Sequence, residues 1–371
     1  MLGQHTSVMR IAKRLLPLWG GLGILCALTQ FAYAAAGTEA ASFLDIPVGG
    51  RPAAMGDAYS ALATDAYAMT SNPGGLGFVD STQLAAEHLS YLESIHYEYL
   101  SFVHPFHQGS AFGVSAQYLG SGDMTQTDTT GNSVGQFSTH YGAYSLAYGH
   151  SFGDKLSVGL TGKVIDAEIA NVEARAYAAD LGTLYRLTSK LNLAAVVTNA
   201  GTKLTFLNDG GTLPLAFKLG AAYQPTTYCT LSVQGTYNNT GLTDAEMGAE
   251  WRPIEMIAIR AGYRTDTTKG LDTMAGMSAG FGLHLWGQEL SYAWVPYGDL
   301  GNTQYFSFLL RFGVAEQEKR NLIQYQTIKS HRSVKAGSVQ PSDPDYQQLM
   351  QLLSEQDGEL YTQRPFLGGA Q

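Results

Sequence analysis

A period of two, running from about residue 83 to 313, constrains this chain more than any other feature. In "YFSFLLRF" Phe306, Phe308, Leu310 and Phe312 take one face, and Tyr305, Ser307, Leu309 and Arg311 take the other. "LSVGLTGKV" sets Leu156, Val158, Leu160 and Val164 against Ser157, Gly159, Thr161 and Lys163. "EMGAEWR" sets Met247, Ala249 and Trp251 against Glu246, Gly248, Glu250 and Arg252. Side chains alternate faces only along a strand, so each segment reads as a strand with one apolar and one polar face. About fourteen such segments follow one another: 83–92, 95–107, 109–120, 137–151, 154–167, 174–187, 190–200, 213–225, 226–237, 242–253, 256–267, 274–286, 287–295 and 302–313. Each is near the roughly 9–11 residues that cross a bilayer as a tilted strand, and an even count suits a closed antiparallel barrel.

A soluble sandwich would also alternate, but it would turn a strongly charged face to water. Here only 14% of residues are charged, against roughly 25% in ordinary soluble domains. The polar face is rich in Gly, Ala, Ser and Thr, which suits a narrow lumen. Closure of the sheet also removes its exposed edges. Loop length gives an independent test. Links after even-numbered strands are short ("SFGDK", "LTSK", "PTT", "RPIEM", "WGQE"). Those after several odd-numbered strands are longer and polar: 121–136, "EIANVEA" and "GTKLTFLNDGGT". Outer-membrane barrels pair short periplasmic turns with longer outer loops, so this parity places both termini in the periplasm. Tyr118, Tyr185, Tyr223, Trp251, Trp286 and Trp294 stand near strand ends, as an aromatic girdle requires.

The flanks differ from this pattern. Arg10, Lys13 and Arg14, an apolar run Leu15 to Leu28 and then Ala32-Tyr33-Ala34 read as a signal peptide over residues 1–34. Residues 35–82 form a separate Ala- and Gly-rich segment before the barrel at 83–313. Residues 314–371 lose the alternation and read as a partly disordered periplasmic tail. Within it, Asp343 or Asp345 can cap a short helix with Tyr346, Leu349, Met350 and Leu353 on one face. No segment is apolar for long enough to make a membrane helix.

The stretch "FLDIPVGGRPAAMGDAYSALATDAYAMTSNPGGLGFV" (43–79) resembles the PorV/PorQ family of outer-membrane proteins, which belong with the FadL-like transporters. The likeness rests on Phe43 to Arg51, Ala54 to Tyr59 and Asn72-Pro73-Gly74-Gly75-Leu76. This chain departs from the family pattern at Gly74, where Ala is common, at Asp57, where a small residue is usual, and at Ser71, where an aromatic is common. The resemblance implies a fourteen-strand FadL-like barrel. It also implies that residues 43–80 fold into the lumen as a hatch. Arg51, Met55, Gly56, Asp57, Asp65, Asn72, Pro73, Gly74 and Gly75 would then form plug and hinge. The residues themselves agree: Pro73 disfavours helix at Asn72, and Gly74 and Gly75 permit a turn into the first strand.

Glu246, Glu250, Arg252, Arg260, Arg264, Glu289 and Arg311 fall on the inward phase of neighbouring strands and form a polar stripe. Two roles fit it: mutual ion pairing inside the lumen, or holding the plug and guiding a polar head group. Lys163, Asp180, Lys218 and His284 are inward elsewhere. Chemistry is not indicated. "GHSFG" (149–153) matches G-x-S-x-G, but a strand rather than a helix follows Ser151. The nine His lack metal-ligand spacing, and no cofactor motif is present. The net charge of −9 without a basic cluster excludes nucleic acid as a partner.

Two functions remain. The resemblance to FadL-like proteins implies a plugged channel, surrounded by outer-membrane lipid, that binds or passes small hydrophobic molecules. The resemblance to PorV-type members implies instead an interaction protein of the type IX secretion machinery, which would use loop 121–136 and the tail as contacts.

Overall fold

The structure is a computed structural model and describes residues 39–313 except 108, 240, 242 and 267–272. The expected signal peptide and tail lie outside the described residues.

Among the described residues eighteen strands follow one another. In the first half they are β1 (Thr82–Ser90), β2 (His96–His107), β3 (Ser110–Gly120), β4 (Met124–Thr127), β5 (Ser133–Phe137), β6 (Thr139–Phe152), β7 (Leu156–Ile169), β8 (Val172–Arg186) and β9 (Leu191–Gly201). The second half holds β10 (Leu204–Phe206), β11 (Asp209–Gly211), β12 (Ala216–Thr226), β13 (Cys229–Asn238), β14 (Thr243–Ile254), β15 (Ile257–Arg264), β16 (Met277–Leu285), β17 (Gln288–Pro296) and β18 (Asn302–Phe312). Fourteen of them close a barrel in which every strand is antiparallel to its neighbours in sequence, and β1 pairs with β18 to seal it. Two separate hairpins, β4/β5 and β10/β11, rise from the long-loop end. Among the described residues no helix is long and apolar enough to cross a membrane.

The alternation maps onto the two sides of the wall. Along β18, Tyr305, Ser307 and Leu309 are buried while Phe306, Phe308 and Phe312 are exposed. Exposed Leu100, Val114, Leu146, Leu160, Leu181, Val233, Met247, Ile259 and Phe281 continue that outer apolar face around the barrel. A surface so apolar is stable only against an apolar surrounding.

Two expectations about loops change. The stretch expected as the loop "EIANVEA" is mostly strand: β7 runs to Ile169 and β8 starts at Val172, with a tight turn at Ala170 in the left-handed region (φ 56°). The loop at 121–136 and "GTKLTFLNDGGT" contain the hairpins β4/β5 and β10/β11 rather than irregular chain. Asp128 organises the first. Its Oδ1 accepts from Thr130 Oγ1 (2.7 Å), Thr130 N (2.9 Å) and Asn132 N (2.9 Å). Those bonds, the Thr130 hydroxyl first, hold its carboxyl down at about 2. Ser151, expected in a turn, is the next-to-last residue of β6.

The segment before β1 packs against inward-facing residues of the barrel. It contains a 3₁₀ turn (Ser42–Asp45), short helices at Gly50–Ala54 and Ala68–Ser71, and a second 3₁₀ turn at Pro73–Phe78. Its Phe43, Ala54, Tyr59, Ala66, Met69 and Leu76 form one apolar cluster with wall residues Ala85, Leu89, Val103, Ala143 and Ile165. Met55, Met69 and Leu76 are fully buried. Burying such a side chain contributes about 1.5–3 kcal/mol each.

Candidate functional site

The contact between this segment and the wall is the site, and it has two parts of different chemistry. The first is built on glycine. Gly149, Gly159 and Gly182 point inward from β6, β7 and β8 and are direct register partners, Gly149↔Gly159 and Gly159↔Gly182. The turn Pro73–Phe78 lies on that row. A Cβ at Gly149 would come within 2.6 Å of the Leu76 Cβ, and one at Gly159 would overlap the Pro73 carbonyl. The wall is therefore bare where backbone meets backbone.

Asn72 fixes the turn. It is fully buried and extended (φ −165°), as the residue before a proline prefers. Its Oδ1 accepts from Gly74 N (2.9 Å), which caps the turn. Its Nδ2 donates to the Ser60 carbonyl (2.9 Å) and to the Thr183 carbonyl of β8 (3.1 Å). Both following glycines are obligatory. A Cβ at Gly74 would lie 2.7 Å from the Gly182 carbonyl oxygen, and one at Gly75 would overlap the Ala63 carbonyl. The Ala common at position 74 in the resembling family has no room here.

A second bare patch lies across the lumen. Gly248 and Gly262 are register partners on β14 and β15 and lie under Met55 and Gly56; a Cβ at Gly248 would be 2.6 Å from the Met55 carbonyl oxygen. Gly56 (φ 63°) and Asp57 (φ 61°) both occupy the left-handed region, which Asp tolerates better than most side chains.

The other part of the contact is ionic. Arg51 donates through Nε (2.9 Å) and Nη2 (3.0 Å) to both oxygens of Glu250, a paired geometry that fixes orientation. Arg260, fully buried, reaches Glu250 (2.8 Å) and Glu289 (2.6 Å), and Arg252 reaches Glu250 (2.8 Å). Glu289 also faces His284 (3.3 Å) and Arg311 (3.7 Å). The stripe thus splits. Glu250, Arg252, Arg260, Glu289 and Arg311 gather around Arg51. Glu246 and Arg264 sit nearer the long-loop end with Asp57 and Lys218, whose Nζ is 3.3 Å from Asp57 Oδ2. Arg264 pairs with Asp266. Lys163 and Asp180 form a separate buried pair at 2.7 Å.

Asp65 lies inside the segment, where its Oδ2 accepts from Tyr59 Oη (2.5 Å) and its Oδ1 from Tyr67 N (3.1 Å). Burial pushes its carboxyl up, opposed by the Tyr59 bond and by Arg51. Further wall contacts come from residues that the sequence does not single out. Gly49 N donates to Glu87 (2.6 Å), Gly50 N to Ser307 (2.9 Å), Ser60 N to Gln234 (3.2 Å) and Ala66 N to Gln83 (3.0 Å). The available signal was glycine on the inward phase of adjacent strands, flanked by Ser, Gln and Glu. Among the described residues no group of side chains could hold a metal ion.

The sequence matches the family described as "Uncharacterised protein family (UPF0164)" over residues 27–168. No curated protein matches the chain. Among solved structures, the CymD monoaromatic hydrocarbon channel aligns with a TM-score of 0.50 at 15% identity, covering 72% of this chain and 98% of that one. A TodX deltaS2S3 mutant monoaromatic hydrocarbon channel gives 0.49 at 13%, covering 70% and 96%. A Pseudomonas aeruginosa FadL homologue gives 0.47 at 12%, covering 70% and 97%. At these identities the likeness to the first is one of fold alone: a closed all-β barrel.

Proposed function

We propose that this chain is an outer-membrane channel that passes small hydrophobic molecules and is closed by its own N-terminal segment. Residues 35–82 are the plug, 83–313 the wall, and the short-turn end faces the periplasm. The observation that carries this reading is the uneven attachment of the segment. The turn Pro73–Phe78 is seated backbone-to-backbone on a row of glycines, whereas the helix Gly50–Ala54 is held by wall side chains: Glu250 on Arg51, Ser307 on Gly50 N and Ser278 on the Ala54 carbonyl. Backbone contact leaves no alternative position. The Arg51–Glu250 pair can open without stranding the carboxylate, because Arg252 and Arg260 stay on Glu250. The plug therefore hinges at Asn72–Pro73 and opens at Arg51. The fold shared with a monoaromatic hydrocarbon channel supports the solute class. Proteoliposomes holding the full chain should take up a small aromatic hydrocarbon faster than empty liposomes; equal uptake would remove the reading.

A role as an interaction protein of a secretion machinery, of the PorV type, draws support from the β4/β5 hairpin, whose residues are largely exposed. Deleting 124–137 would then abolish capture of a secretion partner. Deletion without any change in secretion sets that role aside.

A further inference from the structure

At the short-turn end a cavity of about 160 Å³ opens between the plug and the inner wall. Arg51, Thr64, Lys190, Asn192, Thr230 and Arg252 help to line it, and none of its described lining residues is a carboxylate. The charges around it do not balance. Glu250 is shared by Arg51, Arg252 and Arg260, and Glu289 by Arg260, Arg311 and His284. Asp65 lies within electrostatic reach of Arg51 and Arg311, but both its oxygens are already taken by Tyr59 and Tyr67. Lys190 stands at the rim with its Nζ on the Pro225 carbonyl (2.9 Å). Even without His284, five cations face three carboxylates.

Arg252 places its Nε and Nη2 on Glu250 and keeps 35% of its side chain accessible, so one edge of its guanidinium is free toward the cavity. Thr230 is buried in the wall of the same space. A concentration of cations in a partly enclosed site is relieved by an anion, and guanidinium matches the geometry of an oxyanion.

The geometry points to a binding site for a small oxyanion, a carboxylate or a phosphate group, held in this cavity by Arg252 and Lys190. The site goes beyond the channel reading and stands without it, because nothing in it requires a solute to cross the wall.

The test is calorimetric titration of the full chain in detergent at low salt, with inorganic phosphate and with hexanoate as separate probes. Saturable binding of at least one is expected. Arg252→Gln should weaken it about tenfold or more, Lys190→Gln by less, and added salt should weaken it further. Hexanoate binding alone assigns the site to a carboxylate amphiphile, and phosphate binding alone to a phosphate group. Competition between the two assigns one shared site. Lys190 is exposed, so its variant reports on binding even if the Arg252 variant proves less stable. No saturable binding of either probe, or binding unchanged in both variants, overturns the assignment.

Discussion

The N-terminal segment meets two unlike walls. On the β6–β8 side it presents backbone to glycine, with the Arg186 guanidinium lying over the Phe78 ring (3.7 Å) beside that row. On the β14–β18 side it presents Arg51 to a set of buried carboxylates and guanidiniums, next to the smaller bare patch at Gly248 and Gly262. The first contact is specified by shape and tolerates no added atom. The second is specified by charge, and Glu250 has Arg252 and Arg260 as partners besides Arg51. One fold therefore fixes the same short segment chiefly by shape on one side and largely by charge on the other.

The largest effect is expected on the charged side. Glu250→Gln leaves three guanidiniums without their shared carboxylate. Breaking a buried pair from one side costs about 3–5 kcal/mol, to be read as a lower denaturation midpoint of the refolded barrel. A change under about 0.5 kcal/mol would mean that the ion cluster is solvated. On the glycine side, Gly159→Val forces the Pro73 carbonyl away and should cost about 1–3 kcal/mol, as overpacking does. Gly162→Val, where a Cβ meets nothing within 4 Å, should stay within about 0.5 kcal/mol. Equal effects from the two would deny the glycine row its role. Asn72→Ala removes three hydrogen bonds of the turn and should cost about 1–2 kcal/mol. It should also expose residues 60–78 to protease; an unchanged cleavage pattern would make the turn a mere connector. Arg311→Gln, 3.7 Å from Glu289 and partly accessible, should cost no more than about 1 kcal/mol.

The wall was legible because a strand writes its two faces into every second residue, and β18 reads this way without a break. Its ends were less so. Beyond the apolar belt, Glu168 and Glu173 still alternate with Ala167 and Ala174, so β7 and β8 continue where the composition already reads as loop. Asn72-Pro73 stops the helix Ala68–Ser71 for a local reason that one sequence carries. The partners of that turn were hidden. Gly149, Gly159 and Gly182 read simply as small lumen residues, and only register aligns them into a row. Arg51 and Glu250 were both visible as charged positions, but their meeting spans 199 residues of chain and follows from barrel closure, not from any local pattern.

Two disulfide locks test the hinge most directly. A Cβ at Gly50 would lie 2.9 Å from Ser307 Oγ, and one at Gly113 would lie 3.3 Å from Met69 Cγ, so cysteine pairs at either place can close. In a Cys229→Ser background, uptake of the aromatic probe is measured oxidised and reduced. The hinge account predicts that oxidised Gly50→Cys/Ser307→Cys blocks uptake and that reduction restores it, while Met69→Cys/Gly113→Cys leaves uptake unchanged. Equal uptake by the oxidised and reduced Gly50→Cys/Ser307→Cys protein would contradict it.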